Sequence, residues 1–288
     1  MSRVDSLYQQ ITEKIVASVE SGALPWRRPW TSLRPRNLKG RGYRGINRLV
    51  LGMAPHEDPR WATFNQVSAL GGHVSKGERG TQIQLWLRDE DENGRERLVS
   101  RVYTVFNLEQ CDGLDVPSLG RANSDRPLGI DAADAILKGY PDPPTLRYSP
   151  DRACYVSSID EVLMPAPTAF EGLERFYGTL FHELIHSTGH PKRLARDGVT
   201  QMDGYGTERY AYEELIAEMG AAFLCSEAGI DADLDQPAAY VSSWLNALRR
   251  DSRMIVRAAG QAERACDWIV GRSPGIGARL EEADVSTG

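Results

Sequence analysis

Phe181-His182-Glu183-Leu184-Ile185-His186 sets two histidines four residues apart around a glutamate. On a helix, residues four apart share a face, so His182 and His186 can offer two imidazoles to one metal ion. Glu183 falls about 100° further round, beside such a metal, where a carboxylate can act as a general base. The flanking residues predict the helix itself. Thr168 with Glu171 three positions later reads as a capping box, Leu173, Phe176, Leu180 and Leu184 form an apolar stripe, and Gly189 closes the segment. Paired histidines on an apolar helix are more often packed core residues, but Glu183 would then be a buried carboxylate without a partner.

A zinc site of this kind needs a third protein ligand, with water in the remaining position. A second helix expected over 207–228, ended by Gly229, offers Glu213, Glu214 and Glu218. Glu214 has another carboxylate four residues later on the same face, so it can ligate while Glu218 orients a ligand histidine from behind. Glu213 and Glu218 have Ala217 and Ala222 at that offset, and Glu213 fits a solvated helix glutamate. Ala217, Gly220, Ala221 and Ala222 are small enough to let the two helices approach closely. His190 and Tyr205, in the loop between them, are candidates for stabilising an oxyanion.

The chain's 288 residues suffice for two modest domains, and 41% hydrophobic with 26% charged content describes a soluble globular protein. No stretch is apolar for long enough to span a membrane. Asp5, Glu13, Lys14 and Glu20 interrupt the N-terminal apolar residues, so no signal peptide is expected and a cytoplasmic location is the default. Cys111, Cys154, Cys225 and Cys266 form no C-x-x-C pair, which argues against a disulfide framework or cysteine metal site and predicts buried thiols. Net charge is -6, unevenly placed: residues 1–110 hold 17 Lys+Arg and 12 Asp+Glu, a balance of +5, whereas 111–288 hold 17 and 28, a balance of -11. The halves are expected to do different things.

In the first half, Leu7, Ile11, Ile15 and Val19 predict an amphipathic helix closed by Gly22. From Arg27 to Arg48 come eight basic residues and no acidic one, beside Trp26, Trp30 and Tyr43, in a stretch whose prolines and glycines predict a loop. Cations beside aromatic rings suit single-stranded nucleic acid, with phosphates on Lys and Arg and bases stacked on the rings. A solvated basic loop whose tryptophans plug the core accounts for the same residues. Residues 61–67 read as a short helix, 76–80 as a turn, and 81–87 and 98–106 as paired strands around an acidic tip. Residues 112–129 carry no period and mark a boundary, giving expected units at 1–115 and 130–288 joined by 116–129. After it come a helix over 131–138, strands at 146–149, 153–157 and 162–164, and, past the two glutamate- and histidine-bearing helices, two further helices within 236–270.

Taken together these segments resemble the ArdC-type antirestriction proteins, plasmid-borne proteins with an N-terminal single-stranded-DNA-binding domain and a C-terminal zincin-like metallopeptidase domain. The resemblance rests on Trp26-Arg27-Arg28-Pro29-Trp30, Tyr43-Arg44-Gly45-Ile46-Asn47, Trp61-Ala62-Thr63-Phe64-Asn65-Gln66, Lys76-Gly77-Glu78, Val105-Phe106-Asn107, His182 to His190 with Arg193-Leu194, and Tyr210-Ala211-Tyr212-Glu213-Glu214-Leu215. Ser187 departs from it, standing where an aromatic residue is expected. The resemblance implies an α+β fold of two domains, a small N-terminal α+β DNA-binding domain and a C-terminal zincin-like metallopeptidase domain. It implies metal ligands His182, His186 and Glu214 holding Zn2+ or another divalent metal, Glu183 as the catalytic residue, and an unidentified protein substrate. It also favours DNA contacts from Trp26, Arg27, Arg28, Trp30, Arg34, Arg36, Tyr43, Arg44, Asn47 and Lys76. A non-catalytic protein that protects DNA by covering it, its metal domain structural, is the alternative. A metal-dependent nuclease is disfavoured by a single-metal site in an acidic domain.

Overall fold

The computed structural model describes residues 2–27, 34–90, 94–116, 129–201, 207–231 and 238–272. The first half runs α1 (Arg3–Glu20), β1 (Arg36–Asn37), α2 (Gly45–Gly52), β2 (Arg60–Thr63), α3 (Phe64–Ala69), β3 (His73–Val74), β4 (Thr81–Glu90), β5 (Glu96–Asn107) and β6 (Cys111–Asp112). The second runs α4 (Ile130–Gly139), β7 (Thr145–Tyr148), β8 (Cys154–Val156), β9 (Glu161–Met164), α5 (Leu173–Ser187), α6 (Asp197–Thr200), α7 (Glu208–Ala228), α8 (Ala238–Arg250) and α9 (Met254–Ile269). No helix among the described residues is long and apolar enough to cross a membrane.

Helix α1 begins at a reciprocal cap, Ser2 Oγ accepting from Asp5 N–H at 3.1 Å while Asp5 accepts from Ser2 N–H at 3.3 Å. Its stripe of Leu7, Ile11, Ile15 and Val19 is buried, as the spacing predicts. A four-stranded sheet in the order β1-β2-β5-β4 follows, dominated by the long β4–β5 hairpin. Two expectations are corrected here. Trp61 to Thr63 form strand β2 rather than a helix, because Trp61 and Ala62 pair with Asn107 and Phe106; the helix starts at Phe64 with Thr63 and Gln66 as its cap. The end of the basic stretch is helix α2 rather than loop, since Ile46 and Leu49 turn into the core.

In the second half a three-stranded sheet, β7-β9-β8, has β7 parallel and β8 antiparallel to β9, with β8 at one edge. Val162 and Met164 of β9 are buried in the cluster that also holds Leu180 and Leu184 of α5. Helix α5 starts at Leu173, not near Thr168: Pro167–Ala169 is a separate 3-10 turn, Phe170 is extended, and Gly172 has φ of +122°. A left-handed glycine there ends any continuous helix, and Leu173 drops out of the stripe to lie exposed. Helices α5 and α7 pack closely where Gly220 meets Ile185; a Cβ at Gly220 would lie 2.6 Å from Ile185 Cδ1. Of the thiols, Cys225 and Cys266 are buried and Cys111 and Cys154 only half-buried.

The principal core is continuous across the two halves. Ile15, Trp26 and Leu49 share one cluster with Leu215, Trp244 and Ile255. Trp26 is fully buried, its ring meeting Trp244 edge-on at 5.9 Å. Polar contacts cross the same boundary. Arg34 pairs with Glu263 at 2.6 Å and Glu227 at 3.2 Å and Arg44 pairs with Asp267, while within the second half Arg272 also pairs with Glu227 at 2.9 Å. Arg48 lies fully buried at the centre, with Nη1 3.4 Å from Glu227 and 3.5 Å from Glu263, Nη2 donating to Phe223 O at 2.8 Å, and its guanidinium 4.3 Å from the Phe223 ring. Burial would raise the pKa of Glu227 and Glu263, but the surrounding arginines outweigh it and hold both carboxyls below the usual range. The basic and acidic halves of the sequence therefore neutralise each other at their contact.

Candidate metal centre

Helix α5 carries His182 and His186 on the side that faces α7, and Glu214 approaches from α7. His182 Nε2 and His186 Nε2 are 3.1 Å apart, and each lies 3.4 Å from a different oxygen of Glu214. Behind the rings, His182 Nδ1 is 3.1 Å from Glu218 Oε1 and His186 Nδ1 is 3.3 Å from Glu213 Oε1. A carboxylate accepting from each Nδ1–H leaves both Nε2 lone pairs directed at Glu214. Two lone pairs and a carboxylate then converge with no proton among them, an arrangement that repels itself unless a cation lies between. Tetrahedral zinc, with ligand bonds of about 2.0–2.1 Å, sets its ligand atoms about 3.3 Å apart, and the separations here are 3.1 and 3.4 Å. Among the described residues these three form the cluster able to hold a metal, their ligand atoms all within 4.8 Å. Without a cation the carboxylates act on the rings instead. Burial opposes a charged imidazole, yet hydrogen bonds to Glu214 and Glu218 carry His182 well above its ordinary pKa, and Glu214 and Glu213 carry His186 up to about 9.

Glu183 is buried, and its Oε2 accepts the backbone N–H of Tyr155 in edge strand β8 at 2.7 Å. Its partner, unreadable from sequence, is thus a backbone amide of another element, which also ties the sheet edge to the histidine-bearing helix. Strand β8 is braced in turn: Tyr155 Oη donates to Asp160 at 2.9 Å, and Asp160 pairs with the buried Arg193, which donates to Ser187 O at 2.8 Å. His190 is half-buried and its Nδ1 accepts Lys192 N–H at 3.2 Å. Tyr205 lies outside the described residues.

Glu213 corrects the sequence reading. It is 2% exposed rather than solvated, because Arg196 reaches it with Nε 2.9 Å from Oε2 and Nη2 2.5 Å from Oε1. Arg196 stands 17 residues before it in a loop, and no helical offset signals such a contact.

The proposed DNA contacts divide into three groups. Trp26 and Tyr43 are buried in cores, and Asn47 is buried with its amide bonded to Gln84 O at 2.6 Å and Gln84 N at 2.9 Å, so none offers a face to a base. Arg34 and Arg44 are held by carboxylates of the second half. That packing and pairing is where the structure places these five of the expected DNA contacts. Lys76 is exposed in the turn after β3 and Arg36 is half-buried on β1. Arg27 ends the 3-10 turn Pro25–Arg27, and Arg28 and Trp30 lie outside the described residues.

Residues 132–261 match the family described as zincin-like metallopeptidase, and residues 5–106 match the N-terminal domain of anti-restriction factor ArdC. The fold is similar to the metal-free crystal structure of the antirestriction ArdC protein from the R388 plasmid, with TM-score 0.77, 37% identity, and coverage of 92% of this chain and 97% of that one. The Mn(II)-bound crystal structure of that protein gives TM-score 0.76 at 37% identity over 93% and 98% of the two chains. Among curated relatives, a DNA primase TraC of Escherichia coli is 37% identical over 91% of this chain but only 27% of its own length. A second Escherichia coli DNA primase TraC is 35% identical over 91% of this chain and 20% of its own. Protein y4eC of Sinorhizobium fredii is 33% identical over 91% of both chains.

Proposed function

The chain belongs to the ArdC family of antirestriction proteins, and from that premise we propose that it is a zinc-dependent peptidase of the zincin type whose first half contacts single-stranded DNA. The observation that carries the peptidase reading is the convergence of His182 Nε2, His186 Nε2 and Glu214 beside a buried Glu183. A cation held by His182, His186 and Glu214 would supply Lewis acidity, lowering the pKa of a water and polarising a carbonyl. Glu214 balances its charge, and Glu218 and Glu213 hold the two rings in the tautomer that ligates. Glu183, kept in place through Oε2 by Tyr155 N–H, takes the proton of the attacking water on its carboxylate and returns it to the leaving amine nitrogen.

For DNA, the residues that remain candidates are Arg27, Arg28 and Trp30 with Arg36 and Lys76. Each phosphate contact on a single strand contributes about 0.7 to the slope of log affinity against log salt. Replacing Arg36 and Lys76 together by alanine is therefore expected to lower that slope by about 1.4, measured with a labelled single-stranded oligonucleotide. An unchanged slope removes both from the DNA surface.

The core shared by the two halves also favours a second reading, in which the metal stabilises the protein and protection comes from covering DNA. Chelation separates the two. The peptidase reading expects peptide hydrolysis to disappear on metal removal and return with added Zn2+, with oligonucleotide affinity unchanged throughout. Loss of DNA affinity on chelation, with no hydrolysis at any metal loading, would establish the structural role instead.

A further inference from the structure

We propose that Glu213 and Arg196 are positioning residues of the metal centre, setting the affinity and coordination geometry of the cation by fixing the ring of His186. The proposal rests on the metal-site reading above. Adjacent residues on a helix point about 100° apart, so α7 presents Glu214 to both Nε2 atoms while Glu213 reaches behind His186, with Oε1 3.3 Å from Nδ1. Arg196 grips Glu213 side-on through Nε and Nη2, which fixes both carboxylate oxygens. Its remaining donors return to the helix that carries His186: Nη1 meets Thr188 Oγ1 at 2.6 Å and Nη2 meets Ile185 O at 2.8 Å. The C-terminal turn of α5, Arg196, Glu213 and His186 thus form a closed ring of hydrogen bonds. Within it, a carboxylate held by a guanidinium can only accept from Nδ1, so the proton of His186 sits there and Nε2 stays open to the metal.

Two glycines keep room for this ring. A Cβ at Gly198 would lie 2.6 Å from Glu213 Cβ and 2.9 Å from its Oε2, and one at Gly189 would lie 3.1 Å from Arg196 Nη2. The two histidines are therefore supported differently. His182 meets Glu218 of α7, and His186 meets Glu213 of α7, which Arg196 of the segment after α5 holds in place.

The test uses the full-length protein, with Co2+ and Zn2+ affinities from chelator competition and the visible absorption of bound Co2+. In Glu213→Gln either orientation of the amide sets its NH2 against an Arg196 N–H, at Nη2 or at Nε, which breaks the two-point grip and loosens the ring of His186. The expected result is an affinity 10–100-fold weaker, in the range typical of partners lying behind metal ligands, with a shifted Co2+ spectrum. Gly198→Ala touches no ligand and is expected to move the affinity and spectrum in the same direction by displacing Glu213. Wild-type affinity and spectrum in both variants would overturn the proposal. So would a merely structural outcome, in which the metal-free variants melt earlier but the folded protein binds Co2+ as the wild type does. A wild-type protein that binds neither ion would overturn the metal-site reading itself, and with it this inference.

Discussion

Glu183→Gln is expected to retain one bound metal ion and wild-type affinity for single-stranded DNA while losing about 10²–10⁴-fold in peptide hydrolysis, the usual range for removing a general acid–base. The substitution keeps the side chain's size and its Oε-type acceptor for Tyr155 N–H, so edge strand β8 stays attached. It removes only the capacity to take a proton. The same variant, scored for protection from restriction in cells, divides the two functional readings. If peptide cleavage carries protection, protection falls with hydrolysis; if covering DNA carries it, protection persists. Hydrolysis at the wild-type rate would remove Glu183 from the mechanism.

The second large effect concerns stability. Arg48→Met is expected to destabilise the protein by about 3–5 kcal/mol, the cost of leaving buried charges without their partner. Arg34 and Arg272 still face Glu227, and Arg34 and Arg44 still face Glu263, which places the expectation toward the lower value. Methionine preserves most of the packed length against Phe223, so a cavity contributes little. Chemical denaturation measures the change, and a value within about 0.5 kcal/mol, the range of ordinary surface substitutions, would show that the cluster is solvated. The pH dependence has a definite sign. Glu227 and Glu263 have depressed pKa values in the folded protein, so their stabilisation is complete above the ordinary glutamate value of about 4.3 and is lost as pH falls through the depressed values. The variant, with less depression, loses less stability over that acid range than the wild type.

The elements that carry the paired histidines and Glu214 are the most legible in the sequence, because helical period and offset fix which side chains share a face. Helix α7 is expected over 207–228 and observed at Glu208–Ala228. Glu214 and Glu218, four residues apart on α7, are two carboxylates that lie against His182. What lay beyond reach were contacts between elements. Arg196 brings Glu213 into the interior, the Tyr155 amide gives Glu183 its partner, and Gly172 starts α5 later than the Thr168–Glu171 pattern suggests. The basic aromatic stretch shows the same limit from the other side. Its charge asymmetry was plain, but composition does not say what a charge faces. Arg34, Arg44 and Arg48 face carboxylates of the second half, and Trp26 fills the core against Trp244.

The measurement that bears most directly on the central claim is a crystal of the full chain soaked in Zn2+ and recorded on both sides of the zinc absorption edge. The account predicts one anomalous peak, at about 2.0–2.2 Å from His182 Nε2, His186 Nε2 and a Glu214 oxygen, and its disappearance in Glu214→Ala. A crystal whose zinc sits elsewhere, or whose three residues carry no peak at saturating zinc, would contradict it.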